Sequence, residues 1–156
     1  MTFQNIRYYR WLSPRGVKDI RNYTIEKGML LLYKSGTTDG GMLGDVLIAD
    51  DNLNGACLSD HVIRIKPKNK LLACWTYAFL KSSGGVKLLQ TLATGTMIPF
   101  ITPNRLSAVC IPSPNGDARR IESLVSEYID KRARSNYLEN EAIDMVEREI
   151  ESWQEG

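Results

Sequence analysis

The chain has 156 residues, of which 43% are hydrophobic and 24% charged, a composition typical of one ordinary globular domain with at most one appended element. No stretch approaches the roughly 20 consecutive apolar residues of a membrane span, and the first residues carry no apolar signal-peptide core, so we expect a cytoplasmic protein. The net charge of +2 divides into +5 over residues 1–34, +2 over 35–116 and −5 over 117–156. The basic body, residues 1–116, therefore suits contact with phosphate, and the acidic tail, residues 117–156, suits solvent or a protein partner.

The N-terminal segment combines cationic groups with aromatic rings, as a surface that reads bases or clamps the DNA backbone would. Its candidate DNA contacts are Arg7, Tyr8, Arg10, Arg15 and Lys18. A solvated strand whose rings pack inward would have the same pattern, and an ordinary solubilising surface would have the same charge.

Four segments have the short apolar or alternating pattern of strands. They are Met29–Tyr33, Val46–Ala49, Ala56–Lys66 and Leu106–Ile111. The segment between the first two, residues 35–44, contains four glycines and is predicted to be a loop.

Two small polar loops offer hydroxyl groups and backbone N–H groups that could meet phosphate oxygens. Their candidate DNA contacts are Lys34, Ser35, Thr37, Thr38, Thr94 and Thr96. Tight turns between strands would account for the same residues without any ligand.

The pattern changes to helical spacing over Leu71–Lys81, and a second helix is predicted over roughly Val86–Leu92. Because strands and helices do not alternate regularly, we expect an α+β fold with a small mixed or antiparallel sheet and short helices.

A long helix is predicted from Asp117 to about Trp153, a stretch without glycine or proline. The polar stretch Arg132–Asn136 weakens its apolar stripe, so it is either two helical halves or one helix with a polar break. A continuous helix would be about 50 Å long, and we expect it to need a partner because so small a body cannot cover it. The candidate partner contacts are Ile121, Leu124, Tyr128, Leu138, Ala142, Met145 and Ile150.

Cysteine and histidine residues give no sign of a catalytic or metal site. Cys57, Cys74 and Cys110 lie within or beside apolar runs and are predicted to be reduced core residues. With His61 they lack a CxxC spacing and a fourth ligand, so we predict no metal. Asp60 and His61 are neighbours that would point to opposite faces of a strand, so they cannot form a catalytic pair, and His61 is expected to be a structural residue or a polar contact.

Three segments together resemble a target-recognition domain, with its following helix, of the type I restriction-modification specificity subunits. They are GMLLLYKSGTTDGGMLGDVLIADDNLNGACLSDHVIRIKP, ATGTMIPFITPNRLSAVCIPSP and IESLVSEYIDKRARSNYLENEAIDMVEREIESW. The order and spacing of the Ser-Gly-Thr, Gly-Thr and Ile-Pro-Ser-Pro elements carry the resemblance, since each element alone is common.

The resemblance implies a target-recognition domain over residues 1–116, possibly incomplete, and a long helix over 117–156 that pairs as a coiled coil. It also implies sequence-specific binding of double-stranded DNA without catalysis. A methyltransferase subunit and a restriction subunit would supply the chemistry, and S-adenosylmethionine, Mg²⁺ and ATP would bind to those partners rather than to this chain.

Complete members of that family carry two recognition domains and two long helices, whereas this sequence has one of each. It is therefore either a half-subunit that forms a homodimer through the helix or a portion of a longer product. Two other functions stay open: a recognition-domain fragment of a single-chain restriction-methylation enzyme, and a helix-mediated interaction module that does not bind DNA.

Overall fold

The computed structural model describes residues 13–37 and 42–154. It is α+β, as the sequence predicts, and within the described residues a three-stranded antiparallel sheet is followed by four α-helices. In chain order these are β1 (Leu30–Tyr33), β2 (Val46–Ile48), β3 (Val62–Ile65), α1 (Lys70–Lys81), α2 (Ser83–Thr91), α3 (Pro103–Ser107) and α4 (Ala118–Gln154). Short 3₁₀ turns occupy Pro14–Gly16, Ile20–Asn22 and Asp51–Leu53.

Strand β1 lies in the middle of the sheet, between β2 and β3. Leu30, Leu31 and Leu32 are all fully buried because both faces of the sheet are covered. Leu30 and Leu32 contact the larger apolar cluster, which includes residues of α1, α2 and α4, whereas Leu31 contacts a smaller cluster on the other face. A short continuous apolar run therefore marks a strand that is buried on both faces, as predicted.

Two predicted strands differ from the structure. The strand predicted over Ala56–Lys66 is shorter in the structure, where only β3 is a strand. A turn precedes β3, because the Val62 N–H donates to the Ser59 carbonyl (3.3 Å). The strand predicted over Leu106–Ile111 is wrong. Thr102 accepts a hydrogen bond from the Arg105 N–H (3.3 Å) and a proline occupies the first turn, so Leu106 and Ser107 belong to the short helix α3. Residues 109–111 belong to no helix or strand.

Helices α1 and α2 are joined at the single residue Ser82, which ends the first helix and caps the second. The Ser82 hydroxyl accepts a hydrogen bond from the Gly85 N–H (3.1 Å). A Cβ atom on Gly85 would lie 2.1 Å from the Phe79 carbonyl oxygen, so only glycine fits this close approach. The predicted second helix therefore begins three residues before Val86.

Helix α4 is one continuous helix of 37 residues, which corresponds to about 55 Å. Its first half packs on the body through Ile121, Val125 and Ile129, which join the larger cluster or lie beside it, and Ala118 at its start is also buried. The alternative of two helical halves is therefore wrong. The expectation that the body cannot cover the stripe is also wrong for this first half.

The three cysteines are free, but only Cys74 is buried. The prediction that all three are core residues is wrong for Cys57 and Cys110, which are exposed. Apolar neighbours in sequence therefore did not mean apolar neighbours in space. Burial raises the pKa of the Cys74 thiol, which lowers its thiolate fraction at neutral pH.

We expect two of the three thiols of the folded chain to react readily with a maleimide or an aromatic disulfide at neutral pH. Cys74 should react at a comparable rate only after denaturant is added, because it is both inaccessible and poor in thiolate. Mass spectrometry of the labelled peptides identifies the protected site. Equal labelling of Cys74 and Cys57 in the native chain would contradict the packing described above.

Candidate nucleic-acid and partner surfaces

Two loops that are far apart in sequence lie side by side in the structure. Thr94 and Phe100 exchange backbone hydrogen bonds of 2.9 and 2.8 Å and so close a hairpin. Its returning arm pairs with the end of β1, since the Ile101 N–H donates to the Lys34 carbonyl (2.6 Å) and the Gly36 N–H to the Pro99 carbonyl (3.2 Å). We call residues 34–37, 60–61 and 94–100 the loop surface.

The polar side chains of the loop surface contact one another. Lys34 Nζ lies 3.0 Å from Asp60 Oδ2, and Ser35 Oγ lies 2.8 Å from His61 Nδ1. The Asp60 side chain is 95% exposed and the Lys34 side chain 23% exposed, so solvent reaches this ion pair from the Asp60 side and the pair contributes little to stability. His61 is thus hydrogen-bonded within the chain, which fits both of the roles expected for it, and Asp60 contacts the lysine.

The other candidate DNA contacts are distributed unevenly. Thr94 Oγ1 donates to the Phe100 carbonyl (3.3 Å), and Thr37 and Thr96 are exposed on the loop surface. Arg15 and Lys18 are also exposed, in the segment before β1. The remaining candidates, Arg7, Tyr8, Arg10 and Thr38, lie outside the described residues.

The tip of the hairpin is apolar, which the sequence analysis missed. Met97 is 92% exposed and Ile98 is 69% exposed. A signal was present, since two large apolar residues stand between Gly95 and Pro99, where turn residues predict a loop rather than a core element.

A buried ion pair fixes helix α4 to the body. The Arg132 side chain is only 11% exposed, and its Nη2 donates to Asp50 Oδ2 (2.9 Å) and to the Ile48 carbonyl (2.8 Å). Asp50 is itself buried and also accepts a hydrogen bond from the Asn52 N–H (3.1 Å). Arg132 belongs to the polar stretch that the sequence presents as a break in the stripe. That stretch is in fact a point of attachment.

An aromatic pair adds to this attachment. The rings of Tyr77 on α1 and Tyr128 on α4 stack with centroids 6.0 Å apart, and the Arg132 guanidinium lies 5.8 Å from the Tyr128 centroid. Burial, together with the neighbouring Tyr128 side chain, raises the pKa of Tyr77 well above its ordinary value. Tyr77 therefore stays neutral at physiological pH.

Beyond this attachment most apolar side chains of α4 are exposed, and Ile143 is half-buried. We call the following exposed side chains the distal stripe: Leu138, Ala142, Met145, Val146, Ile150 and Trp153. Exposure reaches 60% for Met145 and 70% for Trp153. Successive residues of an α-helix are rotated by 100° about its axis. The centre of the distal stripe is therefore rotated by roughly 100° from the side of α4 that faces the body, so the distal stripe does not face the direction in which the body lies.

Of the candidate partner contacts on the first half of α4, Ile121 packs against the chain's own core. Leu124 is 56% exposed and Tyr128 46% exposed, on the same side of the helix as the distal stripe. An apolar seam therefore begins beside the body and continues along the distal half. Residues 137–154 have six acidic side chains and one basic one, so the distal half carries a charge of −5.

Within residues 13–37 and 42–154, no group of three or more metal-ligating side chains comes together. The nominal ligand candidates are dispersed, since Cys57 is exposed, His61 contacts Ser35 and Cys74 lies in the core. In the same part of the chain no helix combines the length and the apolar character needed to cross a bilayer.

No model of a known protein family matches this chain, and no curated protein sequence matches it. The resemblance to the type I specificity subunits therefore stays a prediction that rests on the order of its sequence elements.

Proposed function

We propose that this chain recognises double-stranded DNA as a specificity subunit, or half-subunit, of a type I restriction-modification complex. The observation that carries the proposal is the form of α4: one helix, fixed to the body over its first half, with an exposed apolar seam along its second half. Such a helix needs an apolar partner, and it holds the body at a fixed position relative to that partner.

In this proposal the body binds DNA through the loop surface and the basic N-terminal segment. Lys34 can exchange its exposed partner Asp60 for a phosphate oxygen, and the hydroxyls of Thr37 and Thr96 are free of the core. The chain itself is not an enzyme. Partner methyltransferase and restriction subunits carry out the chemistry with S-adenosylmethionine, Mg²⁺ and ATP, and the complex acts in the cytoplasm, where its DNA is.

In an antiparallel pair the distal stripe would lie along the first half of the exposed seam of a second copy, beside Leu124 and Tyr128. Residues 118–136 carry five basic and three acidic side chains, so an antiparallel mate places its acidic half beside a basic half. The same exposed seam is the observation that favours the second candidate function, a helix-mediated interaction module without a nucleic-acid role.

DNA binding separates the two candidates. We expect the full chain to bind a mixed-sequence duplex at low salt, with an affinity that falls steeply as salt rises. Combining Lys34→Ala with Arg7→Ala should weaken binding and reduce the slope of log affinity against log salt by up to about 2, the loss of two phosphate contacts. Fluorescence anisotropy over a salt series measures both quantities.

Lys66→Ala is the matched control for Lys34→Ala as a single variant, since each removes one ammonium group. Because β1 and β3 are antiparallel, with Leu30 opposite Ile65 and Tyr33 opposite Val62, Lys66 lies at the other end of the sheet from Lys34. It also has an exposed carboxylate partner, Glu26, at 2.6 Å. An equal loss of slope in both variants would point to nonspecific charge, and no retention of DNA at low salt would leave the interaction module as the function.

A further inference from the structure

The hairpin closed by Thr94 and Phe100 has an apolar tip between a glycine and a proline. Gly95 has a φ of +102°, and a Cβ atom there would lie 3.0 Å from the Ile98 carbonyl oxygen, so the turn depends on glycine. Pro99 restricts the other side of the tip, and its carbonyl accepts the Gly36 N–H (3.2 Å). The backbone is therefore constrained on both sides of Met97 and Ile98, whose side chains are 92% and 69% exposed.

The surroundings of the tip are polar. Thr96 precedes it directly, and the adjoining arm of the loop surface brings Thr37, Ser35 and the Lys34 ammonium. Two apolar side chains at the end of a narrow hairpin lose their contact with water when they enter a slot about one hairpin wide. A slot that suits this tip is apolar in the middle and lined on both sides by groups that accept hydrogen bonds and attract a cation.

A base-pair step in a duplex has this character, because stacked bases lie between two rows of phosphates. We propose that Met97 and Ile98 form a wedge that inserts into a base-pair step, while Lys34, Thr37 and Thr96 contact the flanking phosphates. The inference rests on the proposed DNA-binding function and adds a mechanism to it. Partial unstacking by an apolar side chain bends the duplex and lets more of the protein reach it, and an unbranched methionine adapts well to such a gap.

The test uses the full chain and a duplex enriched from a random pool at low salt, together with the same duplex carrying one central mismatch. A wedge must pay for unstacking, and a mismatched step is cheaper to open. We expect the native chain to bind the mismatched duplex roughly tenfold more tightly than the matched one. Met97→Ser with Ile98→Ser should remove this preference and leave the salt dependence unchanged, since no charge is altered.

Two further variants serve as controls. Met97→Leu with Ile98→Val keeps the apolar tip and should keep the preference for the mismatch, and Val86→Ser removes an exposed apolar residue of α2 and should have no effect. The double variant Met97→Ser with Ile98→Ser and the single variant Val86→Ser change exposed side chains, so each should leave the thermal midpoint of unfolding nearly unchanged.

The outcomes are distinct. If the native chain retains no duplex at low salt, the proposed function fails together with the wedge. If it binds duplex with a steep salt dependence but shows no mismatch preference, or if the serine variant keeps that preference, the wedge is wrong and the DNA-binding function stands. If the serine variant binds both duplexes like the native chain but no longer associates with the methyltransferase subunit, the tip is a protein contact and the wedge is overturned.

Discussion

Replacing Arg132 with methionine should lower the free energy of unfolding by about 3 to 5 kcal/mol, the largest effect expected of any single substitution on α4. The variant leaves the Asp50 carboxylate in a site where its side chain is only 7% exposed, and it takes away the hydrogen bond to the Ile48 carbonyl. An unpaired charge in such a site costs far more than the exposed pairs elsewhere on the surface contribute. Urea denaturation followed by circular dichroism measures the loss.

Two controls isolate the ion pair. Arg134→Met removes the same side chain two residues further along the helix, where it is exposed, and should change stability by no more than about 0.5 kcal/mol. Asp50→Asn combined with Arg132→Met removes both charges and keeps an oxygen that can accept from the Asn52 N–H, so it should recover much of the loss. A loss for Arg132→Met as small as that for Arg134→Met would mean that Arg132 does not anchor the helix.

Leu138→Asp combined with Met145→Asp should convert a dimer of this chain into a monomer. In the proposed antiparallel pair both side chains lie in the apolar seam, where burying four carboxylates per dimer costs more than a helix interface of this size can supply. The fold of the body should survive, because both residues lie beyond the Arg132 anchor and are exposed. Analytical ultracentrifugation gives the mass, and circular dichroism verifies the helix content.

Arg148→Asp is the matched control, because it changes the charge by the same two units on the same half of the helix. At 100° per residue Arg148 lies on the acidic side, about 120° from the centre of the distal stripe, so this variant should remain dimeric. A monomeric native chain would contradict the homodimer, and a double-aspartate variant that still dimerises would place the interface elsewhere.

The sequence by itself predicted those elements whose stability is decided by neighbours along the chain. The run of three leucines in β1 and the absence of glycine and proline from residues 117–153 each indicated the correct structure, and the predicted start of α4 lies within one residue of the observed one. The α+β class followed from these elements. A pattern of apolar residues reports local periodicity, and for long or strongly apolar segments that periodicity dominates the outcome.

Tertiary structure decided which side chains meet. Arg132, taken from the sequence as part of a polar break, is the anchor of α4 because Asp50 lies opposite it, 82 residues earlier in the chain. Likewise Ser35 and Thr94 lie on one surface because Phe100 pairs with both of them. Cys57 is exposed although its neighbours in sequence are apolar. Contacts between distant segments depend on how the elements pack in three dimensions, and one-dimensional spacing carries no record of that packing.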